Sequence, residues 1–269
     1  MPYEQVLTEE RGRVGIVTLN NPEKLNALGE PMDTEMREAI EAYNNNRAIG
    51  AIVLTGAGKG FCAGANIQGW DKGIQRAEES GNGMRITDRR ENWVSFVQRS
   101  KPIIAAINGV SIGVGLTITL PCDIRYASER ARLSMRFVRV GVLPELASSR
   151  LLVNIVGLGQ ALELMLSGRI IEAAEAGRIG LANKVLPADD LLDAAIETAA
   201  EIAFNPAESL AAIKRETWAN LFDGDLASIM KREVIEFNEA MRRPHFKEAV
   251  RAFIEKRQPD FHQEAVTQR

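Results

Sequence analysis

Histidine is almost absent from this chain. His245 and His262 are its only two, and both stand near the C-terminal end. A serine–histidine–aspartate triad, a cysteine–histidine nucleophile pair or a histidine metal cage would each need that tail folded back into the core. None of the three is expected. Cysteine is equally scarce: Cys62 and Cys122 are far apart and show no CxxC spacing, which sets aside a disulfide framework and a zinc ribbon and fits a reducing compartment. An excess of one charge is lacking too. The 33 basic and 36 acidic residues leave a net charge of −3, so nothing electrostatic favours nucleic acid or an anionic membrane, and any anion site must be local. No apolar run reaches membrane-spanning length without charges, and the opening MPYEQVLTEERGRV lacks the apolar stretch of a signal peptide. A soluble, cytoplasmic protein is the expectation.

What is present is a globular balance, 45% hydrophobic and 26% charged over 269 residues, enough for one large core or a core with a smaller appendage. RGRVGIVTLNNP reads as a hairpin end and a strand stopped at Asn21-Pro22, because proline cannot continue a central ladder. Met32, Met36, Ala39, Ile40 and Tyr43 then recur at spacings of three and four, the apolar stripe of a helix. AIVLTG (51–56) and PIIAAING (102–109) are unbroken apolar runs, as expected of strands buried on both faces of a parallel sheet. Each is followed by a glycine-rich turn, and a strand, turn and helix theme is expected twice. From about Leu186 the pattern is helical, with Asn205-Pro206 and Asp223-Gly224 as breaks. This divides the chain into a core over 1–205 and a helical region over 206–269, too small to stand alone and expected to pack on the core or on another subunit.

GAGKGF lacks both the GxxxxGK[ST] spacing of a phosphate loop and the GxGxxG of a dinucleotide fold, so its glycines imply a turn and no nucleotide. FCAGAN and GVG (113–115) gain interest as a pair. Two backbone N–H groups from adjacent loops, one at a helix start, could hold a developing negative charge. Such a donor is worth roughly 3–4 kcal/mol of transition-state stabilisation if a base stands nearby. Glu145, in FVRVGVLPELASSR, is the candidate: Val142, Leu143 and Pro144 before it and Leu146 and Ala147 after it predict apolar surroundings that raise its pKa by desolvation. The simpler alternative is an ordinary solvated loop carboxylate. Cys62, Cys122, Trp70, Trp93 and Trp218 are read as packing residues.

NPEKLNAL (21–28), GKGFCAGANI (58–67), KPIIAAINGVSIGVGL (101–116), CDIRYAS (122–128), VGVLPELASSRLL (140–152), SGRIIEAAEAGRIGLANKVLP (167–187) and FKEAVRAFIEKRQPDF (246–261) together resemble the crotonase, or enoyl-CoA hydratase/isomerase, superfamily in order and spacing. The resemblance covers nearly the whole chain. It implies an α/β spiral of β-β-α turns with a C-terminal helical region used in trimerisation, often as a dimer of trimers. It also implies an acyl-CoA thioester substrate, no metal, and no cofactor beyond the coenzyme A that enters with the substrate. By matched position, the N–H groups of Ala65 and Val114 would form the oxyanion hole. Lys24, Asn26, Ala27 and Leu28 would lie along the 3′-phospho-ADP end of coenzyme A, and Phe253 and Lys256 would reach it from the tail, within the chain or across a subunit interface. Ala63 and Ile67 would add substrate contacts.

Hydratases of this superfamily use two glutamates, and the matching positions here are Thr117 and Phe137, which would instead line the pocket. The single glutamate after proline, followed by two serines, resembles Δ3-Δ2-enoyl-CoA isomerases, so Glu145 is expected to be the one base. A hydratase or another lyase of the superfamily, and a non-catalytic acyl-CoA-binding member, are the alternatives. Asn66, Val114 and Ala147 depart from the common aspartate, glycine and glycine. The polar segment 71–93 is expected to be a loop and helix start over the acyl site that sets chain-length preference.

Overall fold

The computed structural model describes residues 2–66, 78–79 and 91–262. Strands β1 (Val6–Arg11) and β2 (Val14–Leu19) form the antiparallel hairpin, turning at Gly12 with φ 58°. Beside β2 run β3 (Ala51–Gly56), β5 (Ile103–Ile107), β7 (Ile124–Ser128) and β10 (Lys184–Leu186), all parallel, in a six-stranded sheet of order β1-β2-β3-β5-β7-β10. A second sheet has the order β4-β6-β8-β9, from β4 (Gly60–Cys62), β6 (Val110–Ile112), β8 (Arg132–Ser134) and β9 (Ile171–Glu172). The chain therefore steps from the large sheet to the small one three times, as β3 to β4, β5 to β6 and β7 to β8. This corrects the expected strand, turn and helix theme: each glycine turn leads first into a short strand, in keeping with β-β-α turns.

Ten helices lie among the described residues. Those of the core are α1 (Met32–Asn45), α2 (Trp93–Arg99), α3 (Val114–Thr117), α4 (Ser148–Val156), α5 (Leu158–Ser167), α6 (Ala173–Arg178) and α7 (Leu191–Phe204). The apolar strands are continuous because both faces of the large sheet are covered. Ile16, Val53, Ile104 and Ala106 meet Ala195, Ala199 and Ala203 of α7, whereas Leu19, Ile52, Leu54 and Ile103 face Met32, Met36 and Ile40 of α1 and the second sheet. All five residues of the expected α1 stripe are buried. Small side chains let α7 approach closely: a Cβ added to Gly50 would lie 2.7 Å from that of Ala203.

Trp93 is a core residue whose indole N–H donates to Ile118 O at 2.9 Å. Cys62 and Cys122 are free and buried, and desolvation pushes their thiols up to about 11 and about 12, which leaves them inert at neutral pH. The C-terminal region comprises α8 (Ala207–Asn220), α9 (Leu226–Arg242) and α10 (Pro244–Glu255). Helix α8 is tied to the core by Lys214, 7% exposed, whose ammonium donates to Asp123 Oδ2 at 2.7 Å. Helices α9 and α10 leave Met230, Val234, Phe237, Phe253 and Ile254 exposed. No helix among the described residues is long and apolar enough to cross a membrane. Ile67, Trp70 and nearly all of 71–93 lie outside the described residues.

Candidate active site

Two glycine loops converge where β4 and β6 end. After β4, Ala63–Asn66 is laced to the NPEKLNAL segment: Ala63 N–H donates to Leu25 O (2.9 Å), Leu28 N–H to Gly64 O (2.8 Å) and Asn66 N–H to Leu28 O (2.8 Å). This parallel bridge between Leu28 and Ala65 points the Ala65 N–H away from its partner strand. After β6, Gly113, at φ 56°, turns the chain into α3, and Leu116 and Thr117 both donate to its carbonyl, at 2.9 and 3.0 Å. Among the described residues neither the Ala65 nor the Val114 N–H has an acceptor. The two loops touch. A Cβ on Gly115 would stand 2.0 Å from Cys62 O, and one on Gly64 would stand 3.1 Å from Ile112 O. Only glycine permits this approach, and it brings two unpaired backbone donors side by side.

The third loop carries Glu145. A short 3-10 helix, Arg136–Val140, ends at Gly141 (φ 74°), and Val142 N–H donates back to Phe137 O at 3.2 Å. Leu146 and Ala147, at φ 54° and 55°, then hold left-handed backbone before α4, and Ser148 N–H donates to Glu145 O at 3.0 Å. Two consecutive non-glycine residues in that region store strain of a kind found where a side chain must be aimed. Phe137 reaches the donors, its ring 4.0 Å from where a Gly113 Cβ would be. The carboxyl pKa of Glu145 is raised, first by desolvation and second by the negative charge of Asp33.

The apolar enclosure expected from the flanking sequence is not what the chain forms. Val142 is 40% and Leu143 85% exposed, and Glu145 itself keeps solvent access. The turn at Gly141 throws the apolar flank outward, and Phe137 and Leu146 pack inward in its place. Two expected substrate contacts are corrected as well. Asn26 is fully buried as a staple: its amide donates to Ala57 O (3.0 Å) and Gly60 O (2.8 Å), and its Oδ1 accepts from Asn21 N–H at 2.7 Å. Thr117 is also fully buried, with its hydroxyl directed at Val114 O, so it supports the oxyanion helix and has no surface to offer an acyl chain.

Ala27, Leu28, Ala63, Ala65, Val114 and Phe137 are all half-buried around the loops. Lys24, Phe253 and Lys256 are exposed, and no hydrogen bond or ion pair among the described residues joins the latter two to the 21–28 loop. Sequence reading missed Asp33 and Asn108. Asn108 locks the turns by donating to Gly58 O and Gly60 O and accepting from Gly56 N–H; an asparagine-glycine pair directly after a buried strand was its signal. Asp33 had none, since an acid in the first turn of a helix is commonplace. No group of three or more His, Cys, Asp or Glu side chains among the described residues could hold a metal ion.

A family model described as enoyl-CoA hydratase/isomerase matches residues 9–264. A protein named probable enoyl-CoA hydratase from Mycobacterium bovis is 36% identical over 261 residues, covering 97% of this chain and 99% of that protein. The short-chain-enoyl-CoA hydratase of Clostridium acetobutylicum is 35% identical over 260 residues, 96% of this chain and 97% of its own. Among solved structures, an enoyl-CoA hydratase subunit from Geobacillus kaustophilus superposes with a TM-score of 0.85 at 30% identity, covering 98% of this chain and all of that one.

Proposed function

This chain belongs to the enoyl-CoA hydratase/isomerase family, and from that premise we propose that it moves the double bond of a 3-enoyl-CoA into conjugation with the thioester, using Glu145 as its one base. The observation that carries the reading is the trio of loops: a carboxyl with a raised pKa on a strained turn, facing two unpaired backbone donors. Glu145 removes a proton from C2 while the thioester oxygen, becoming an enolate, accepts hydrogen bonds from Ala65 and Val114 N–H. The protonated carboxyl then returns the same proton at C4. One carboxylate suffices because no water has to be activated, and a raised pKa brings its basicity closer to that of the carbon acid.

Coenzyme A enters with the substrate and no separate cofactor is required. Ala27 and Leu28 border its path, with Ala63 beneath, and Lys24 supplies positive charge for its phosphates. Phe253 and Lys256 come from a neighbouring subunit, the exposed apolar faces of α9 and α10 serving as the contact that builds a trimer or a dimer of trimers.

Hydration of a 2-enoyl-CoA is the second reading, favoured by the names of the relatives. Against it, the two positions where superfamily hydratases carry glutamate hold a buried threonine and a phenylalanine. The experiment is product analysis by mass and absorbance with a medium-chain 3-enoyl-CoA and 2-enoyl-CoA, for wild type and Glu145→Gln. A conjugated product from the 3-enoyl substrate, made by wild type alone while the variant still binds the ester, supports isomerisation. Addition of water to the 2-enoyl substrate, or a fully active variant, rejects it; binding with no product from either ester leaves a binding protein.

A further inference from the structure

Asp33 opens α1 beside the site, and the proposed reaction gives it no part. Its N–H donates to Gly29 O at 3.0 Å. Gly29 rests on Asn66, where an added Cβ would stand 3.2 Å from the asparagine Cβ, and Leu28 bridges to Ala65. The first turn of α1 is thus fixed to the oxyanion loop. The carboxylate of Asp33, 19% exposed, pairs with Arg37 Nε at 3.4 Å, one helical turn on. Arg37 is itself anchored: it donates to Glu91 O at 3.1 Å, and its guanidinium lies over the rings of Trp93 and Phe96 at 5.2 and 5.7 Å. Across the site stands Glu145, within electrostatic reach of Asp33.

The other charged groups around this pair are engaged elsewhere. Glu30, ahead of α1, accepts from the Thr34 hydroxyl. Glu91, before α2, pairs with Arg99 at 2.8 Å. Arg150, at the start of α4, lies over the Phe222 ring at 5.1 Å. Asp33 is therefore the fixed charge that Glu145 faces, and Arg37 is the group that holds it there.

We propose that Asp33 is a positioning residue for the base: an anchored negative charge on the oxyanion side of the cleft that keeps the Glu145 carboxyl ready to accept and return a proton. Two carboxylates facing one another disfavour joint ionisation, so the one held by a cation stays charged and the other gains basicity. Removing Asp33 makes Glu145 a weaker base. Removing Arg37 leaves the Asp33 charge less neutralised and makes Glu145 a stronger one.

This inference rests on the reading of Glu145 as the base, and its test separates the two. Glutamate labelled with carbon-13 at Cδ reports the Glu145 carboxyl, assigned by its loss in Glu145→Gln. The signal is titrated in wild type, Asp33→Asn and Arg37→Met, the methionine retaining the apolar stem over the rings. The expected midpoint shifts to lower pH in Asp33→Asn and to higher pH in Arg37→Met, with the acid limb of the kcat/KM profile for a 3-enoyl-CoA moving in the same directions. Mere loosening of the site does not give opposite signs. An unchanged or raised midpoint in Asp33→Asn, or an unchanged or lowered one in Arg37→Met, overturns the proposal; should one variant fail to fold, the other decides. If the midpoints move as expected but Glu145→Gln still turns over, the charge coupling stands and the reading of Glu145 as base falls.

Discussion

Glu145 binds its proton more tightly in the folded chain than an unfolded glutamate does, because desolvation and the Asp33 charge both raise its pKa. The folded state therefore holds more protons in the window between the unfolded and folded values, and its stability falls as pH rises through that window. Glu145→Gln, with no charge to desolvate, should accordingly melt at a higher temperature than wild type near pH ~7, with the difference shrinking toward about pH 4, where the wild-type carboxyl is protonated. Thermal melts of both proteins at the two pH values check this, and a variant less stable at neutral pH would contradict it. Site residues commonly carry such a stability cost. Gly115 carries a constraint of another kind. A Cβ there would stand 2.0 Å from Cys62 O, so Gly115→Ala must push the two donor loops apart. Overpacking of this sort costs about 1–3 kcal/mol, and displacing the Val114 donor should lower kcat by roughly 10²-fold or more. Denaturant titration and steady-state kinetics on the same sample test both parts.

At the scale of elements, the loop before α4 concentrates the strain. Ala147 holds left-handed backbone at φ 55° with a side chain that disfavours it. That conformation costs roughly 1–2 kcal/mol, part of which glycine would give back through its larger unfolded-state entropy. Ala147→Gly should therefore raise stability by about 0.5–1 kcal/mol and leave kcat near wild type, measured by chemical denaturation and turnover. The same element shows where sequence stops being informative. The β3 and β5 runs and the α1 stripe were legible because burial on two faces, or on one stripe, writes itself as periodicity. The strands of the second sheet are two or three residues long and carry no period, so glycine turns seemed to lead directly into helices. The apolar residues around Glu145 read as a pocket, yet direction depends on the positive φ of Gly141, Leu146 and Ala147, and two of these are not glycine. Asn26 and Thr117 were legible as important and not as buried, since a staple and a ligand contact present the same letter.

The whole molecule is held together by contacts distant in sequence, and the C-terminal helices depend on few of them. Helix α9 buries no residue fully and α10 only Ala252, whereas α8 buries Ala212 and Lys214. The Lys214 ammonium, 7% exposed, donates to Asp123, whose Oδ2 also accepts from Ile103 N–H at 2.7 Å. One aspartate therefore joins the C-terminal region, the start of β5 and the turn into β7. Lys214→Met would keep most of the buried stem and remove the charge, leaving Asp123 ionised with one donor fewer. Breaking a fully buried pair from one side costs about 3–5 kcal/mol. Asp123 keeps 24% of its side-chain surface in water and retains the Ile103 N–H. The loss should then be about 2–3 kcal/mol. Because the aspartate sits at the base of strands that end in the oxyanion loops, while α8 forms no part of those loops, denaturant melts of Lys214→Met should show the loss while KM and kcat of the folded protein stay close to wild type. Asp123→Asn, which keeps an acceptor for Ile103 but leaves the lysine charge buried, should lose at least as much, and a smaller loss would show that the lysine escapes to solvent.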